Sequence, residues 1–231
     1  MDVIAVQPRL HLFRFPVGQA YLWSDDGELT LVDSGTAGAA EELVLAIRAL
    51  GLDPARLVRI VLTHGHEDHC GAAQELTRRF GAEVVAHRLE APAIRGEQAL
   101  PPPVLLDWER PLWERTRGLP PAPPTVVDRE VEDGDALAFG GGARVVHVPG
   151  HTPGSIALHL PLHGVLFTGD TVASVEGVTL GVFHVDREDA RASLRRLSVL
   201  GPSVLCCGHG DPVTRDAAAA LITAAERDAD L

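Results

Sequence analysis

The sequence predicts an α/β protein in which two groups of strands are each followed by helices. Short apolar runs of strand length alternate with segments whose apolar residues recur at helical spacing. That alternation is typical of layered α/β architectures. With 231 residues and 45% hydrophobic content, the chain can bury a sizeable core, and its length favours one domain spanning residues 1–231 over two.

The first half is predicted to begin with a meander of four short strands. These strands cover Val3–Val6, Leu10–Phe15, Ala20–Ser24 and Leu29–Asp33. A turn of sequence Asp-Asp-Gly at residues 25–27 separates the last two, and a helix then runs from Ser34 to about Leu50, where Gly51 stops it. A strand, a helix and another strand are expected next, at Val58–Thr63, Cys70–Phe80 and Glu83–His87.

The second half is predicted to repeat this order of strands followed by helices. Its strands are expected at Ala136–Phe139, Ala143–Val148, Ser155–Leu160 and Val165–Thr168. They are followed by a helix, a strand and a helix at Arg187–Leu200, Ser203–Cys207 and Pro212–Ala229. Two halves of this kind suggest two facing sheets with helices outside.

A proline-rich segment, Ala91–Pro124, separates the two halves. It carries alternating charges and two tryptophans, Trp108 and Trp113. It has too few apolar residues for a core of its own, so we expect an insertion that acts as a lid or as an interface rather than a second domain.

Residues 63–69, with the sequence Thr-His-Gly-His-Glu-Asp-His, are the most informative stretch of the chain. Three imidazoles and a carboxylate so close together suit a divalent metal and have no credible packing role. The motif follows one predicted strand and precedes a predicted helix, so it lies on a loop held by a rigid scaffold. We therefore expect four metal ligands here: His64, His66, Asp68 and His69.

Three further segments share one design, in which an apolar strand runs into a polar residue flanked by glycine. The polar residues are His151 in Gly-His-Thr-Pro-Gly, Asp170 after Thr-Gly, and His209 in Gly-His-Gly. Flanking glycines let the backbone approach closely. Ligands at strand ends can converge on one edge of a sandwich, so these three residues are candidates for the same metal site.

The motifs H-x-H-x-D-H, G-H-T-P-G-S, T-G-D and G-H-G, in this order, resemble those of the metallo-β-lactamase superfamily. The match runs from Asp33, in the segment Leu-Val-Asp-Ser-Gly, to His209, and only the insertion stands outside it. The resemblance implies a four-layer αβ/βα sandwich with a dinuclear metal site at one edge of the sheets.

The resemblance also implies a role for each candidate ligand. His64, His66 and His151 would hold the first metal, Asp68, His69 and His209 would hold the second, and Asp170 would bridge the two. Asp33 would be the outer carboxylate that orients the metal loop, since such partners fix the direction of an imidazole.

The bridging carboxylate bears on the activity that the resemblance implies. True β-lactamases of the family lack it, so the glyoxalase II-like and lactonase-like branches fit better. Two divalent ions, with zinc favoured over iron or manganese, would share a hydroxide that attacks an ester, thioester, lactone or amide carbonyl of a small molecule. Asp68 would be the catalytic residue that orients this nucleophile and passes a proton to the leaving group.

The sequence narrows the substrate only in part. The glyoxalase II branch carries a basic C-terminal extension for glutathione, whereas the stretch after His209 is acidic and rich in alanine. One lactonase branch uses a tyrosine three residues after the bridging aspartate, where this chain has Ala173. His184, Trp108 and Trp113 are the candidates for a substrate pocket.

Two alternatives to a hydrolase stay open. Persulfide dioxygenases of the same superfamily bind one iron through the equivalents of His64, His151 and Asp170, a set of two histidines and one carboxylate that suits oxygen chemistry. The other alternative is a metal-binding protein without catalysis. The metal bound and turnover of a generic ester separate these alternatives from a hydrolase.

Net charge and the number of cysteines indicate which partners and which cellular location to expect. The net charge of −12 argues against a nucleic-acid-binding protein, which needs a basic face. No apolar stretch approaches the roughly 18 residues that span a membrane, and residues 1–18 do not resemble a signal peptide. Three cysteines fit a reducing cytoplasm, where Cys70, Cys206 and Cys207 are expected to be buried. The insertion could also serve as a homodimer contact.

Overall fold

The computed structural model describes residues 1–116 and 118–229. The chain forms two units, each with its own sheet. The first unit comprises Met1–Ala99 and Gly118–Val131, and the second comprises Leu100–Arg117 and Glu132–Leu231, of which residues 117, 230 and 231 lie outside the described part. The insertion is thus divided: its middle belongs to the second unit and its two ends to the first. A single domain across residues 1–231 stays a prediction.

The first unit contains a seven-stranded sheet in the order of the sequence. Its strands are β1 (Asp2–Gln7), β2 (Leu10–Arg14), β3 (Gln19–Asp25), β4 (Glu28–Val32), β5 (Leu57–Val61), β6 (Glu83–His87) and β7 (Arg129–Val131). The first four pair antiparallel, and β4 to β7 pair parallel. Asp26 and Gly27 join β3 to β4 with φ angles of 38° and 94°, as a two-residue hairpin of the mirror-image turn type requires.

Four α-helices and one short 3-10 helix, Pro54–Arg56, accompany this sheet. The α-helices are α1 (Ala40–Ala49), α2 (Glu67–Cys70), α3 (Ala73–Phe80) and α4 (Ala91–Ile94). Apolar side chains of α1, such as Leu43 and Ile47, lie in one buried cluster with Leu22 and Leu31 of the sheet. The predicted stop of α3 is present, because Gly81 adopts a left-handed conformation with φ of 70°, a common helix end.

Helix α1 begins six residues later than predicted. The backbone N–H and the hydroxyl of Ser34 both donate to the carbonyl oxygen of His69, at 2.6 and 2.9 Å. Gly35 follows with a φ of 72°, which turns the chain out of the helical direction. Ser34 is therefore committed to the histidine-rich loop and cannot start a helix.

The second unit contains a five-stranded sheet and a small two-stranded ladder. The sheet has the order β14-β11-β10-β9-β8, and β12 pairs with β13. The strands are β8 (Ala136–Leu137), β9 (Ala143–His147), β10 (Ile156–Leu160), β11 (Val165–Gly169), β12 (Val172–Ala173), β13 (Thr179–Leu180) and β14 (Val204–Cys207). The helices are α5 (Arg110–Thr116), α6 (Arg187–Ser198) and α7 (Ala217–Ala229). Leu194 and Leu221, from α6 and α7, share a buried cluster with Leu166 and Leu205 of the sheet.

Helix α7 also starts later than the predicted position, Pro212. Val213 and Leu205 exchange two backbone hydrogen bonds of 2.9 Å, so the chain extends the sheet edge before it turns. Asp216, with a φ of 52°, marks that turn, and the helix follows at once. In the described residues, no helix is both long and apolar enough to cross a bilayer; a cytoplasmic location stays a prediction.

We expect the three cysteines to be unreactive in the folded protein. All three are buried, and burial raises the pKa of Cys70 to about 12 and that of Cys207 to about 11. Because the thiolate is the reactive form, Ellman's reagent at pH 8 should label almost no thiol in the native protein. The same assay in guanidinium should report three thiols per chain. Fast labelling of a thiol without denaturant would contradict the buried placement.

Candidate metal centre

Asp33, directly after β4, hydrogen-bonds to both ends of the histidine-rich loop of residues 63–69. Its buried carboxylate accepts hydrogen bonds from the backbone N–H of Thr63 at 2.7 Å, from the Thr63 hydroxyl at 2.8 Å and from Nδ1 of His69 at 2.9 Å. Asp33 has a φ of 60°, a left-handed conformation that is uncommon for a residue other than glycine and that clusters at functional sites. One carboxylate therefore holds both ends of the loop.

Two imidazoles of this loop use the same ring atom, Nδ1, to hydrogen-bond to protein oxygens. The hydroxyl of Thr63 donates to Asp33, so its oxygen accepts from Nδ1 of His64, which lies 3.1 Å away. His69 donates through Nδ1 to the same carboxylate. In both residues Nε2 is then the atom that can coordinate a metal, which is how outer partners orient histidine ligands. The His64 ring lies 4.1 Å from that of His69 and 4.7 Å from that of His66, measured between centroids.

The backbone between His64 and His66 is also held on two sides. The N–H of Gly65 donates to Oε2 of Glu90 at 2.9 Å, and its carbonyl oxygen accepts from Sγ of Cys70 at 3.4 Å. Glu90 is fully buried. Glu90 lies more than twenty positions from the motif and follows a different strand, so no local pattern marks it as part of the site.

Asp68 lies beside His69 in the same loop. Its Oδ2 is 3.5 Å from Nε2 of His69, and its side chain is 13% exposed. Gly18, in the turn between β2 and β3, lies against it: a Cβ at Gly18 would contact the Asp68 backbone and side chain. The ligand atoms of His64 and His66 lie within 4.8 Å of each other, as do those of Asp68 and His69. The ligand atoms of His64 and His69 are within the same distance, so the four donors of the first unit form one cluster.

In the second unit, His151, Asp170 and His209 follow β9, β11 and β14, and the structure brings them together. Oδ2 of Asp170 is 3.6 Å from Nε2 of His151 and 3.2 Å from Nε2 of His209. The glycines beside them permit close backbone approach: a Cβ at Gly150 would overlap Ala190 of α6, and one at Gly210 would overlap the backbone of Ser174.

His151 is oriented by the segment of residues 182–186. Its Nδ1 donates to the carbonyl oxygen of Val182 at 3.0 Å, so Nε2 is again the atom on the side of Asp170. The N–H of Val185 donates to the carbonyl oxygen of His151 at 3.3 Å, and that of Asp186 donates to the carbonyl oxygen of Gly150 at 2.9 Å. This segment therefore fixes both the backbone and the ring of His151.

The three predicted pocket residues occupy different environments. His184 is buried, with its ring edge against that of His151 at 5.8 Å between centroids. Burial, reinforced by the charge of Arg187, lowers the pKa of His184 to about 4, so this imidazole is neutral near pH 7. Trp113 packs against Phe183 at 5.1 Å, whereas Trp108 is 60% exposed.

The donor set fits a transition-metal ion. Imidazole nitrogens and carboxylate oxygens suit zinc, iron and manganese. Three of the imidazoles, those of His64, His69 and His151, have Nδ1 hydrogen-bonded to an oxygen of the protein. Rings held in this way need little reorganisation to coordinate a metal.

Known proteins share both the sequence pattern and the fold. A family model of the metallo-beta-lactamase superfamily matches residues 14–209. The chain is 30% identical over 209 residues to the probable metallo-hydrolase YflN of Bacillus subtilis, covering 83% of this chain and 78% of that protein. It is 32% identical over 185 residues to a hydroxyacylglutathione hydrolase of Cereibacter sphaeroides, covering 79% of this chain but only 58% of that protein.

A solved structure agrees with these matches. The crystal structure of TTHA1623, described as a di-iron-bound form, is 31% identical and superposes with a TM-score of 0.66, covering 86% of this chain and 91% of that one. The α/β class and the family resemblance predicted from the motifs are both confirmed. The family match runs from the last residue of β2 to His209 and includes all the candidate ligands. The chain belongs to the metallo-beta-lactamase superfamily.

Proposed function

We propose that this protein is a hydrolase that binds two divalent metal ions and cleaves an ester, thioester, lactone or amide bond of a small molecule. The observation that carries the proposal is the arrangement of three imidazoles whose Nδ1 atoms are committed to protein oxygens. Such rings are oriented as metal ligands in advance. Family membership supports the same conclusion, since relatives in this superfamily carry the name metallo-hydrolase.

Seven residues would hold the two ions. His64, His66 and His151 would hold the first ion, Asp68, His69 and His209 would hold the second, and Asp170 would contribute to both. The 3.6 and 3.2 Å distances from Asp170 to His151 and His209 support a shared site in the second unit. When bound, such ions lower the pKa of water from about 15.7 toward about 7 and polarise a carbonyl oxygen.

The chain's own residues would then orient the reacting groups. Asp68 is partly exposed and next to His69, which suits a carboxylate that orients a water molecule and passes its proton to the leaving group. Gly18 leaves the space that Asp68 occupies, because a Cβ at position 18 would contact the Asp68 backbone and carboxylate. Asp33 keeps the loop that carries Asp68 in place through its bonds to Thr63 and His69.

Zinc is the metal we propose, and iron is the alternative because the related TTHA1623 structure is a di-iron-bound form. For the substrate we propose a small carbonyl compound, and the net charge of −12 disfavours nucleic acid. The Cereibacter relative is named for a glutathione thioester, which makes acyl thioesters the first group to screen.

Elemental analysis of the purified protein tests the metal content. We expect about two zinc ions per chain, and we expect EDTA to remove hydrolysis that zinc then restores. One iron per chain, together with oxygen uptake in the presence of a persulfide, would show that the protein is a dioxygenase and not a hydrolase. Metal bound without turnover of any ester, thioester or lactone would indicate a non-catalytic protein.

Loss of a single ligand should abolish turnover. We expect His66→Ala and Asp170→Ala each to lower kcat/KM by more than about 100-fold, because even outer-shell changes cost 10–100-fold. His163→Ala, at a partly exposed turn after β10, is the matched control and should behave like the wild type. Hydrolysis at the wild-type rate in both ligand variants would contradict the proposed site.

Asp33→Asn tests the support beneath the loop. Asparagine tolerates the left-handed conformation of this position, so the backbone should be kept while the negative charge is lost. We expect the zinc affinity, measured by competition with a chelator, to fall by about 10–100-fold. An unchanged affinity would show that the carboxylate is not needed to orient His64 and His69.

A further inference from the structure

The peptide group between Val182 and Phe183 is hydrogen-bonded at both ends. Its carbonyl oxygen accepts from Nδ1 of His151 at 3.0 Å, and its N–H donates to Oε1 of Glu109 at 3.3 Å. Because a peptide group is planar and rigid, fixing its N–H also fixes the direction of its carbonyl oxygen. The Glu109 carboxylate, the peptide group and the His151 imidazole are therefore connected by successive hydrogen bonds.

Glu109 is held firmly in this series. The residue is fully buried, and Oε1 also accepts from Nη2 of Arg187 at 2.7 Å. Its other oxygen, Oε2, accepts from the backbone N–H of Leu106 at 2.8 Å. A buried carboxylate is costly unless it is paired and hydrogen-bonded, and these contacts meet that requirement. The position of Glu109 is thus set by three hydrogen-bond donors.

The other oriented imidazoles each have a carboxylate behind them. His69 donates directly to Asp33, and His64 reaches Asp33 through the hydroxyl of Thr63. For His151, the group that accepts from Nδ1 is a backbone carbonyl, that of Val182. We propose that Glu109 is the positioning residue for His151, acting through the Val182–Phe183 peptide group as Asp33 acts through Thr63.

Through Glu109, the insertion takes part in positioning a residue of the metal site. Glu109 lies in the middle of the insertion, just before α5, outside the segments that carry the family motifs. The same stretch is attached to the segment of residues 182–186 at two further points: Val104 N–H donates to the carbonyl oxygen of His184 at 2.8 Å, and Trp113 packs against Phe183. The insertion is therefore docked on the loop that orients His151.

The effect of Glu109 is mainly geometric. Arg187 offsets the negative charge of the carboxylate, and hydrogen bonds in series strengthen one another by only about 10–30% each. Phe183 has a φ of 61°, an unfavourable conformation for a bulky residue, so its N–H needs a fixed acceptor to stay in place. We accordingly expect an effect on metal affinity near the lower end of the 10–100-fold range for outer partners.

The test compares Glu109→Ala and Glu109→Gln with the matched controls Glu114→Ala and Glu114→Gln, at an exposed position of α5. In the metal-free protein, NMR follows exchange with water of the Phe183 amide proton and of the Nδ1 proton of His151. Glu109→Ala should accelerate both by at least about tenfold and weaken zinc binding about tenfold. Glu109→Gln keeps an acceptor oxygen and should recover part of each loss. The Nδ1 proton of His69 should be unchanged in all variants, which shows that the fold is kept.

Two results would overturn the role of Glu109: unchanged Phe183 and His151 signals in Glu109→Ala, or equal zinc affinity in the Glu109 and Glu114 variants. If Glu109→Ala does not fold, Glu109→Gln against Glu114→Gln decides the question. The inference rests on the proposed function only where it takes His151 as a metal ligand. Wild-type protein that binds neither zinc nor iron would overturn the proposed function, while the NMR comparison would still decide whether Glu109 positions His151.

Discussion

Much of the first unit depends on one buried carboxylate in a left-handed conformation. Asp33 directly follows β4 and accepts hydrogen bonds from Thr63 at the start of the histidine-rich loop and from His69 at its end. The next residue, Ser34, is bound to the carbonyl of His69 and delays α1. The left-handed conformation of Asp33, the position of the loop and the late start of α1 therefore occur together, because Asp33 and Ser34 both hydrogen-bond to the loop.

The second unit also brings candidate ligands together and orients them, but with residues from several separate segments. Its three candidate ligands lie beyond the ends of separate strands, and glycines let the segments that carry them approach neighbouring backbone. The orienting partner of His151 comes from a loop that is itself held by the insertion. In the first unit four candidate ligands share one short motif, which is supported by Asp33 from 30 positions away. In the second unit the ligands come from separate segments, and the support of His151 links residues 74 positions apart.

That contrast explains what could be predicted from the sequence. The strands and the dense motif at residues 63–69 were predictable because alternation, apolar runs and clustered ligands are local signals. The starts of α1 and α7 were predicted too early, because Ser34 and Val213 are engaged by distant partners that leave no local trace. Glu90 and Glu109 were missed for the same reason: a lone glutamate in a charged or proline-rich segment is indistinguishable from a solvated one until its partners are known.

The attachment of Glu109 to Arg187 also limits how the insertion can be exchanged. Protein engineers often transplant loops between relatives to alter substrate preference, on the assumption that a loop outside the conserved scaffold is modular. Here residues 100–116 include Glu109, which forms an ion pair with Arg187 at the start of α6. A graft that replaces this stretch alone would leave Arg187 without its buried counter-ion and the Phe183 amide without its acceptor. Residues 100–116 and the start of α6 must therefore be transplanted together.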